Sequence, residues 1–225
     1  MIFPNAPFPV VATIFFYLFV LSCVVELVFA FLEKEKWRIL VKPTSMFFLG
    51  LMAIFATFKV DYILLYVAIF CGMIGDILLA LKHHGDMPFV IGAVFFLAGH
   101  ICYITRMMLF IPSGNLSWIW VLILCPIFYC VLLYPCKRMV GKWALVIPGT
   151  FYLSALLSDI VAGVVLLTNG HLSAIMVIIG GLSFFASDIY LSKTQFVKHD
   201  KREDFYIMAT YLLGQVLIVM GILFI

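Results

Sequence analysis

Charged residues are scarce in this sequence. Asp, Glu, Lys and Arg make up 11% of the 225 residues, whereas a soluble globular domain has about 25%. Hydrophobic residues account for 66%, and the mean hydropathy is +1.22. This composition excludes a soluble domain and predicts an integral membrane protein. The net charge of +3 gives no reason to expect a nucleic-acid partner.

The sequence also lacks the short motifs of several enzyme classes. It contains no CxxC, no HxxxH or HExxH and no GxSxG, which argues against a disulfide framework, a zinc site and a serine hydrolase. We therefore predict no metal. Met1 to Phe8 contains no basic residue, so we expect a first membrane span rather than a cleavable signal peptide.

Long apolar runs take up most of the chain, and strands with period-two alternation are absent. The predicted spans are therefore helices rather than strands of a barrel. Run lengths near the roughly 20 residues that cross a bilayer, joined by short linkers, predict an all-α protein. It would form a single bundle of eight transmembrane helices in one integral membrane domain, residues 1–225. The predicted spans are 9–32, 43–58, 62–81, 88–110, 117–134, 144–167, 172–192 and 205–225.

Basic residues cluster in the loops that follow spans one, three, five and seven. The opposite side holds only Lys59, with Arg106 near the end of span four. Because positively charged loops stay in the cytoplasm, we predict that both termini are non-cytoplasmic. The expected location is a bacterial cytoplasmic membrane or the endoplasmic reticulum membrane. The basic loop residues are Lys34, Lys36, Arg38, Lys42, Lys82, Lys137, Arg138, Lys142, Lys193, Lys198, Lys201 and Arg202.

Internal similarity links the two halves of the chain. A proline motif at Val41–Ser45 opens predicted span two, and a related one at Val146–Thr150 lies early in span six. Leu97–His100 in span four resembles Leu212–Gln215 in span eight. Together with the aspartate motifs described next, these matches fit two parallel four-helix repeats within the bundle, because four is an even number of crossings.

Two aspartates lie within apolar runs, in the similar motifs GDILLA and SDIYLS. They are Asp76 and Asp188. An ionisable residue inside a membrane span is costly and is by default a candidate functional residue. Asp76 precedes Lys82 by six residues and Asp188 precedes Lys193 by five, so each lies roughly 8–9 Å from the cytoplasmic end of its helix. We predict one site built from both, with carboxylates within about 8 Å of each other.

Other polar residues fall at similar or greater depth in the predicted spans. Tyr211 shares the layer of the aspartates, and Lys42 is expected at the rim of this layer, where span two begins. His100 and Gln215 lie deeper. Helical spacing places Tyr103 on the same face as His100. A cavity lined by these faces would open toward the cytoplasmic leaflet.

Structural explanations compete with these functional ones. The aspartates would link helices as polar contacts, Lys42 would snorkel at a helix start, and His100 would form an interhelical hydrogen bond. Tyr211 and Gln215 would serve in packing.

Three further polar features lie outside the predicted site. The stripe formed by Thr150, Ser154 and Ser158 is predicted to bond back to its own helix. Asp159 lies off the layer, and Glu26 lies near it but matches no motif.

An ordered set of motifs resembles the YhhN-like lysoplasmalogenase family of membrane proteins. The set runs from span two to span eight, and span one falls outside it. Gly214 stands where the family pattern would have Ala. The matching stretches are Lys42–Met46, Gly75–Leu79, Gly92–Tyr103 with Phe96 and His100, Tyr152, Gly181–Asp188, and Tyr211 through Gln215 to Gly221.

The resemblance implies an enzyme that hydrolyses the vinyl ether bond of alkenyl lysophospholipids. The products would be a fatty aldehyde and glycerophospho-ethanolamine or -choline. The reaction needs a carboxylic acid to protonate the alkene and a carboxylate to stabilise the resulting cation, as in glycosidases. Asp76 and Asp188 would take these roles, in an order that the sequence leaves open. No cofactor is needed for a hydrolysis.

The resemblance also suggests roles for the other polar residues. Lys42 would pair with the substrate phosphate as a point charge. The residues expected to bind substrate or orient water and the ether oxygen are His100, Tyr103, Tyr152, Tyr211 and Gln215.

Two other functions stay open. Membrane acids, a histidine and four-helix halves also suit a small proton-coupled membrane transporter, although Pro and Gly do not mark clear broken helices in both halves. A structural lipid-binding protein is the third alternative, for which the aspartates are unnecessary. The expected partners are the lysophospholipid substrate, water and the lipid bilayer. Headgroup preference, chain length and oligomeric state are not predicted.

Overall fold

The computed structural model describes residues 9–81, 86–112, 114–197 and 201–225. Within these ranges the chain forms eight α-helices and no strand, and each helix is long and apolar enough to cross a membrane. This confirms the predicted all-α membrane protein. The helices are α1 (Val10–Phe31), α2 (Glu35–Thr57), α3 (Ile63–Ala80), α4 (Asp86–Met108), α5 (Ile119–Val140), α6 (Trp143–Thr168), α7 (Ala174–Phe196) and α8 (Lys201–Leu223).

The chain divides into two compact units. The first runs to Arg106 and contains α1, α2, α3 and nearly all of α4, whereas the second runs from Met107 to Leu223 and contains α5 to α8. This division falls between the two predicted four-helix halves. The parallel arrangement of the halves and the single domain stay predictions.

In the first unit α2 packs between α1 and α3, and α4 lies against α3. Glycines allow α3 and α4 to approach closely. A Cβ atom added to Gly75 would lie 2.7 Å from the Phe96 ring, and one added to Gly99 would lie 3.0 Å from the Ala68 carbonyl oxygen. The unit therefore holds α3, which carries Asp76, firmly between its neighbours.

In the second unit α6 packs between α5 and α7, and α7 packs against α8. The backbones of α7 and α8 nearly touch, since a Cβ atom on Gly180 would lie 2.9 Å from the Gly214 carbonyl oxygen. Ser187 Oγ donates to the Ile207 carbonyl oxygen across the same interface, at 2.9 Å. Small residues at helix interfaces permit such contact in membranes. Asp188 is thereby fixed next to α8.

The second helix begins earlier than predicted. It starts at Glu35 rather than at residue 43, so Pro43 lies inside it. A proline removes the N–H that would bond the carbonyl four residues back, yet the helix continues. Nearby, the Thr44 hydroxyl donates to the Leu40 carbonyl oxygen at 2.7 Å. Lys42 therefore lies within α2, and its predicted place at a helix start is wrong.

Two other helices run past their predicted ends. α5 continues through Pro135 to Val140, and α7 continues to Phe196. Lys137 and Lys193 thus lie in last helical turns rather than in loops, where a positive charge interacts favourably with the helix dipole. Lys82 and Lys198 lie outside the described residues.

We predict that Gly214→Ala destabilises the protein by about 1–3 kcal/mol through overpacking. Its Cβ atom would lie 2.9 Å from the Phe184 backbone nitrogen, so α7 and α8 would have to separate. Gly149→Ala is the matched control, because a Cβ atom on this helical glycine meets nothing within 4 Å and alanine is the better helix former. The free energy of unfolding is measured by titration in mixed micelles. An equal value for Gly214→Ala and the wild-type protein would contradict the account.

Candidate functional site

Two basic side chains lie one helical turn apart on one face of α2. Lys42 Nζ is 2.8 Å from Asp76 Oδ1 on α3, and Arg38 Nε is 3.0 Å from Glu26 Oε1 on α1. We call Glu26, Arg38, Lys42 and Asp76 the α2 charge cluster. All four residues belong to the first unit. Their ion pairs connect α2 to the helix on each side.

The carboxylates of the α2 charge cluster are fully buried, whereas each basic side chain is 17% exposed. Burying a lone carboxylate is costly unless an opposite charge accompanies it. Glu26 also lies within electrostatic range of Lys42 and Asp76, so the four charges influence one another. Two acids and two bases leave the cluster formally neutral.

The fourth helix contributes two predicted residues to the first unit. His100 and Tyr103 are both buried, with ring centroids 5.9 Å apart in an edge-to-face arrangement. One turn later the Arg106 guanidinium lies 4.3 Å from the centroid of the Tyr62 ring. The predicted shared face of His100 and Tyr103 is therefore a direct contact.

The second aspartate has a hydroxyl partner on a neighbouring helix. Tyr152 on α6 donates its hydroxyl to Asp188 Oδ2 on α7. The Tyr211 ring packs on Phe184 with centroids 5.3 Å apart. Gln215 is buried one turn further along α8. The second unit thus joins a buried carboxyl group to a half-buried phenol across α6 and α7, and it buries a second phenol and an amide on α8.

The structure brings together three pairs of predicted site residues. The predicted separation of the two aspartate carboxylates stays a prediction, because the aspartates belong to different units. The three pairs are Lys42 with Asp76, His100 with Tyr103, and Tyr152 with Asp188.

Sequence reasoning missed two members of the α2 charge cluster, Glu26 and Arg38. Arg38 falls in a predicted loop because the predicted start of the helix lies after it, and Glu26 matches no motif. The signal for a shared face is the four-residue spacing between Arg38 and Lys42. Four-residue spacing places two side chains on one face only within a helix, and the predicted helix began after both residues, whereas α2 begins at Glu35.

The hydroxyl stripe on α6 bonds to its own helix, as predicted. Ser154 Oγ donates to the Thr150 carbonyl oxygen at 2.7 Å, and Ser158 Oγ donates to the Ser154 carbonyl oxygen at 2.9 Å. Asp159 is buried on the same helix. Across the described part of the chain, no three His, Cys, Asp or Glu side chains lie close enough together to hold a metal ion.

Comparison with known families identifies a relationship that covers most of the chain. The model of the YhhN family matches residues 37–222. The matched range covers α2 to α8 almost completely and leaves out α1, which carries Glu26. No match was found among curated proteins or among solved structures.

Proposed function

Because the chain belongs to the YhhN family, we propose that it is a lysoplasmalogenase-type membrane hydrolase. Its substrate would be an alkenyl lysophospholipid, cleaved at the vinyl ether bond. The observation that carries this proposal is the Lys42–Asp76 ion pair, with its carboxylate fully buried in an apolar helix. Such a buried charge is expensive in a membrane span and makes the residue a candidate functional residue by default.

The reaction requires one proton donor, one carboxylate and one water molecule. A carboxylic acid protonates the outer alkene carbon, which leaves an oxocarbenium ion at the carbon bonded to oxygen. Water adds to this carbon and gives up a proton to a carboxylate. The hemiacetal then breaks its bond to the glycerol oxygen, which takes the proton from the carboxyl group that had accepted it from water. The hemiacetal hydroxyl gives its proton to the first carboxylate, which restores the acid. The products are a fatty aldehyde and glycerophospho-ethanolamine or -choline. Paired carboxylates promote glycoside hydrolysis through a similar cation.

We assign Asp76 the carboxylate role, because an ammonium group 2.8 Å away pairs with a charged carboxylate. Asp188 then takes the role of the acid. Its Oδ2 accepts a hydrogen bond from the Tyr152 hydroxyl, and its Oδ1 would carry the proton that is transferred to the alkene. Tyr152 would hold the carboxyl group in one orientation, which favours proton transfer along a fixed direction.

The remaining predicted residues have supporting roles in this proposal. Lys42 would also attract the substrate phosphate, which its exposed fraction permits. The buried residues that would orient water or the ether oxygen are His100, Tyr103, Tyr211 and Gln215.

The continuous helices favour an enzyme over a carrier. α2 and α6 each run unbroken through an internal proline, at Pro43 and Pro148. Carriers with repeated halves commonly bind substrate at unwound segments of discontinuous helices. Neither proline produces such a segment in these two helices.

The proposal is tested with the purified chain in detergent and three lysophospholipids that share headgroup and chain length. One has an alkenyl, one an acyl and one an alkyl chain. We expect aldehyde from the alkenyl lipid and no product from the other two. Fatty acid released from the acyl lipid would indicate a phospholipase-type enzyme instead. No turnover, together with proton-dependent solute uptake into liposomes, would identify a transporter.

A further inference from the structure

The hairpin between α5 and α6 is basic and contains no acid. Its basic residues are Lys137, Arg138 and Lys142, and the sequence has no Asp or Glu from Met87 to Ser158. The other basic stretches, after α1, α3 and α7, each include an Asp or Glu within a few positions of a Lys. The positive-inside rule explains basic loops but not the lack of acids in this one. The hairpin therefore carries positive charge that the neighbouring sequence does not balance.

One of the three cations is used within the hairpin itself. The Lys137 ammonium group donates to the Gly141 carbonyl oxygen, and it lies 4.4 Å from the centroid of the Trp143 ring, a cation–π distance. Gly141 has a φ of +77°, a conformation that favours glycine and allows the tight turn between the two helices. Lys137 is thus part of the structure of the turn.

The other two cations are exposed. Arg138 lies in the last turn of α5, and Lys142 immediately precedes α6. Among the residues that the structure describes, neither forms an ion pair. Because the membrane span that contains α5 ends at Val140, both groups lie at the level of the phospholipid headgroups.

An exposed apolar stripe on α5 leads to Arg138. Its residues follow one another at spacings of three and four, so they share one face of the helix. α5 is the least buried of the eight described helices, since 6% of its span is buried compared with 22–61% for the others. A phospholipid has a matching layout, with apolar chains that end at a phosphate. The stripe consists of Trp120, Ile123, Ile127, Val131 and Tyr134.

We propose that the α5–α6 hairpin binds an anionic phospholipid of the bilayer, with its phosphate against Arg138 and Lys142 and its acyl chains along the stripe. Two cations without an acid attract a headgroup of net negative charge more strongly than a zwitterionic one. The guanidinium binds two phosphate oxygens through its planar fork. Tyrosine and tryptophan at the membrane interface, here Tyr134 and Trp143, sit at headgroup level. None of these residues enters the proposed reaction.

The test compares two phospholipids with identical acyl chains. One is a phosphatidylglycerol, which has a net negative charge, and the other is a phosphatidylcholine, which has none. Native mass spectrometry of the full chain in detergent counts the bound lipids and gives a Kd for each. Since the chains contribute equally, the ratio of the two Kd values measures the preference for a negative headgroup.

Three variants separate this site from a general effect of charge. Arg138→Gln with Lys142→Gln removes both exposed cations, and the fold should be unaffected because surface substitutions rarely change stability much. Arg138→Lys keeps the charge and loses the fork. The matched control is Lys34→Gln with Lys59→Gln, which removes the same total charge from two exposed lysines that have acids close by in the sequence.

We expect the wild-type protein to prefer phosphatidylglycerol, and the Arg138–Lys142 double variant to lower this preference by roughly 10–30-fold, as expected for two basic residues near a membrane surface. Arg138→Lys should keep most of the preference, and the control double variant should keep all of it. Affinity for phosphatidylcholine should change less than affinity for phosphatidylglycerol in every variant.

Equal affinity of the wild-type protein for both lipids, or the same loss of preference in the control, would overturn the inference. Glycerophosphoglycerol, the headgroup without chains, would overturn it by binding as tightly as the lipid, because the hairpin would then be a site for a soluble phosphate. A dimer that dissociates after Ile127→Ser with Val131→Ser would also overturn it, because a second copy of the chain would then cover the stripe.

Discussion

Asp76→Asn and Asp188→Asn each lower kcat for an alkenyl lysophospholipid by about 10²–10⁴-fold, the usual contribution of a general acid or base. Asparagine has nearly the size of aspartate but can neither donate a carboxyl proton nor balance a cation. The fold should survive, because a neutral amide costs no more to bury than a carboxyl group. After Asp76→Asn the partly exposed Lys42 can extend its ammonium group toward water.

Asp159→Asn is the matched control for these two variants. Asp159 is also a buried aspartate, 1% exposed on α6, and it has no role in the proposed reaction. The same substitution there should leave kcat unchanged. Aldehyde release and unfolding midpoints are measured for all three variants. Full activity in either of the first two would remove that aspartate from the mechanism.

Lys42→Met should destabilise the protein by about 3–5 kcal/mol, because it takes the ammonium group away from a fully buried carboxylate. Asp76 is 0% exposed, so water cannot replace the lost partner without opening the packing of α2 on α3. Methionine matches the length of the lysine stem, so lost packing contributes little. The free energy of unfolding is obtained from sodium dodecyl sulfate titrations in mixed micelles, followed by circular dichroism.

The double variant Lys42→Met with Asp76→Asn should recover most of this loss, because no buried charge is left unmatched. Lys34→Met, at an exposed position before α2, controls for removal of a basic residue on the same side. If the single and double variants have the same free energy of unfolding, the 2.8 Å ion pair does not stabilise the buried Asp76 carboxylate, and the account is contradicted.

The eight helices were predictable because lipid and water impose length and hydropathy on each span. The start of α2 was not, because its first turns carry Lys36, Arg38 and Lys42 ahead of Pro43. Charges and a proline are typical of a loop before a span. Here the charges belong to the helix, since two of them have buried carboxylate partners on α1 and α3.

The polar contacts of the site were predictable to different degrees. Asp76 and Asp188 stand out as acids in apolar runs, and Lys42 is predicted at the rim of the same layer, where the structure pairs it with Asp76. The family match covers Arg38 but not Glu26, because α1 lies outside residues 37–222. Only tertiary packing of α1 on α2 reveals that pair.

Close helix packing in the second unit depends on contacts that no local pattern contains. The structure gives a physical reason for glycine at position 214, because α8 touches the Phe184 backbone at that point. The hydroxyl contact from Tyr152 to Asp188 likewise depends on how α6 meets α7. Membrane orientation and the separation of the two aspartates stay predictions.

The central claim is that the chain cleaves a vinyl ether by protonating its outer carbon. The most direct test is turnover of an alkenyl lysophospholipid by the purified wild-type protein in D₂O, with mass spectrometry of the released aldehyde. The account predicts one deuterium on the carbon next to the carbonyl group, with aldehyde release from Asp188→Asn slower by about 10²–10⁴-fold. Aldehyde without deuterium, or no aldehyde at all from folded wild-type protein, would contradict it.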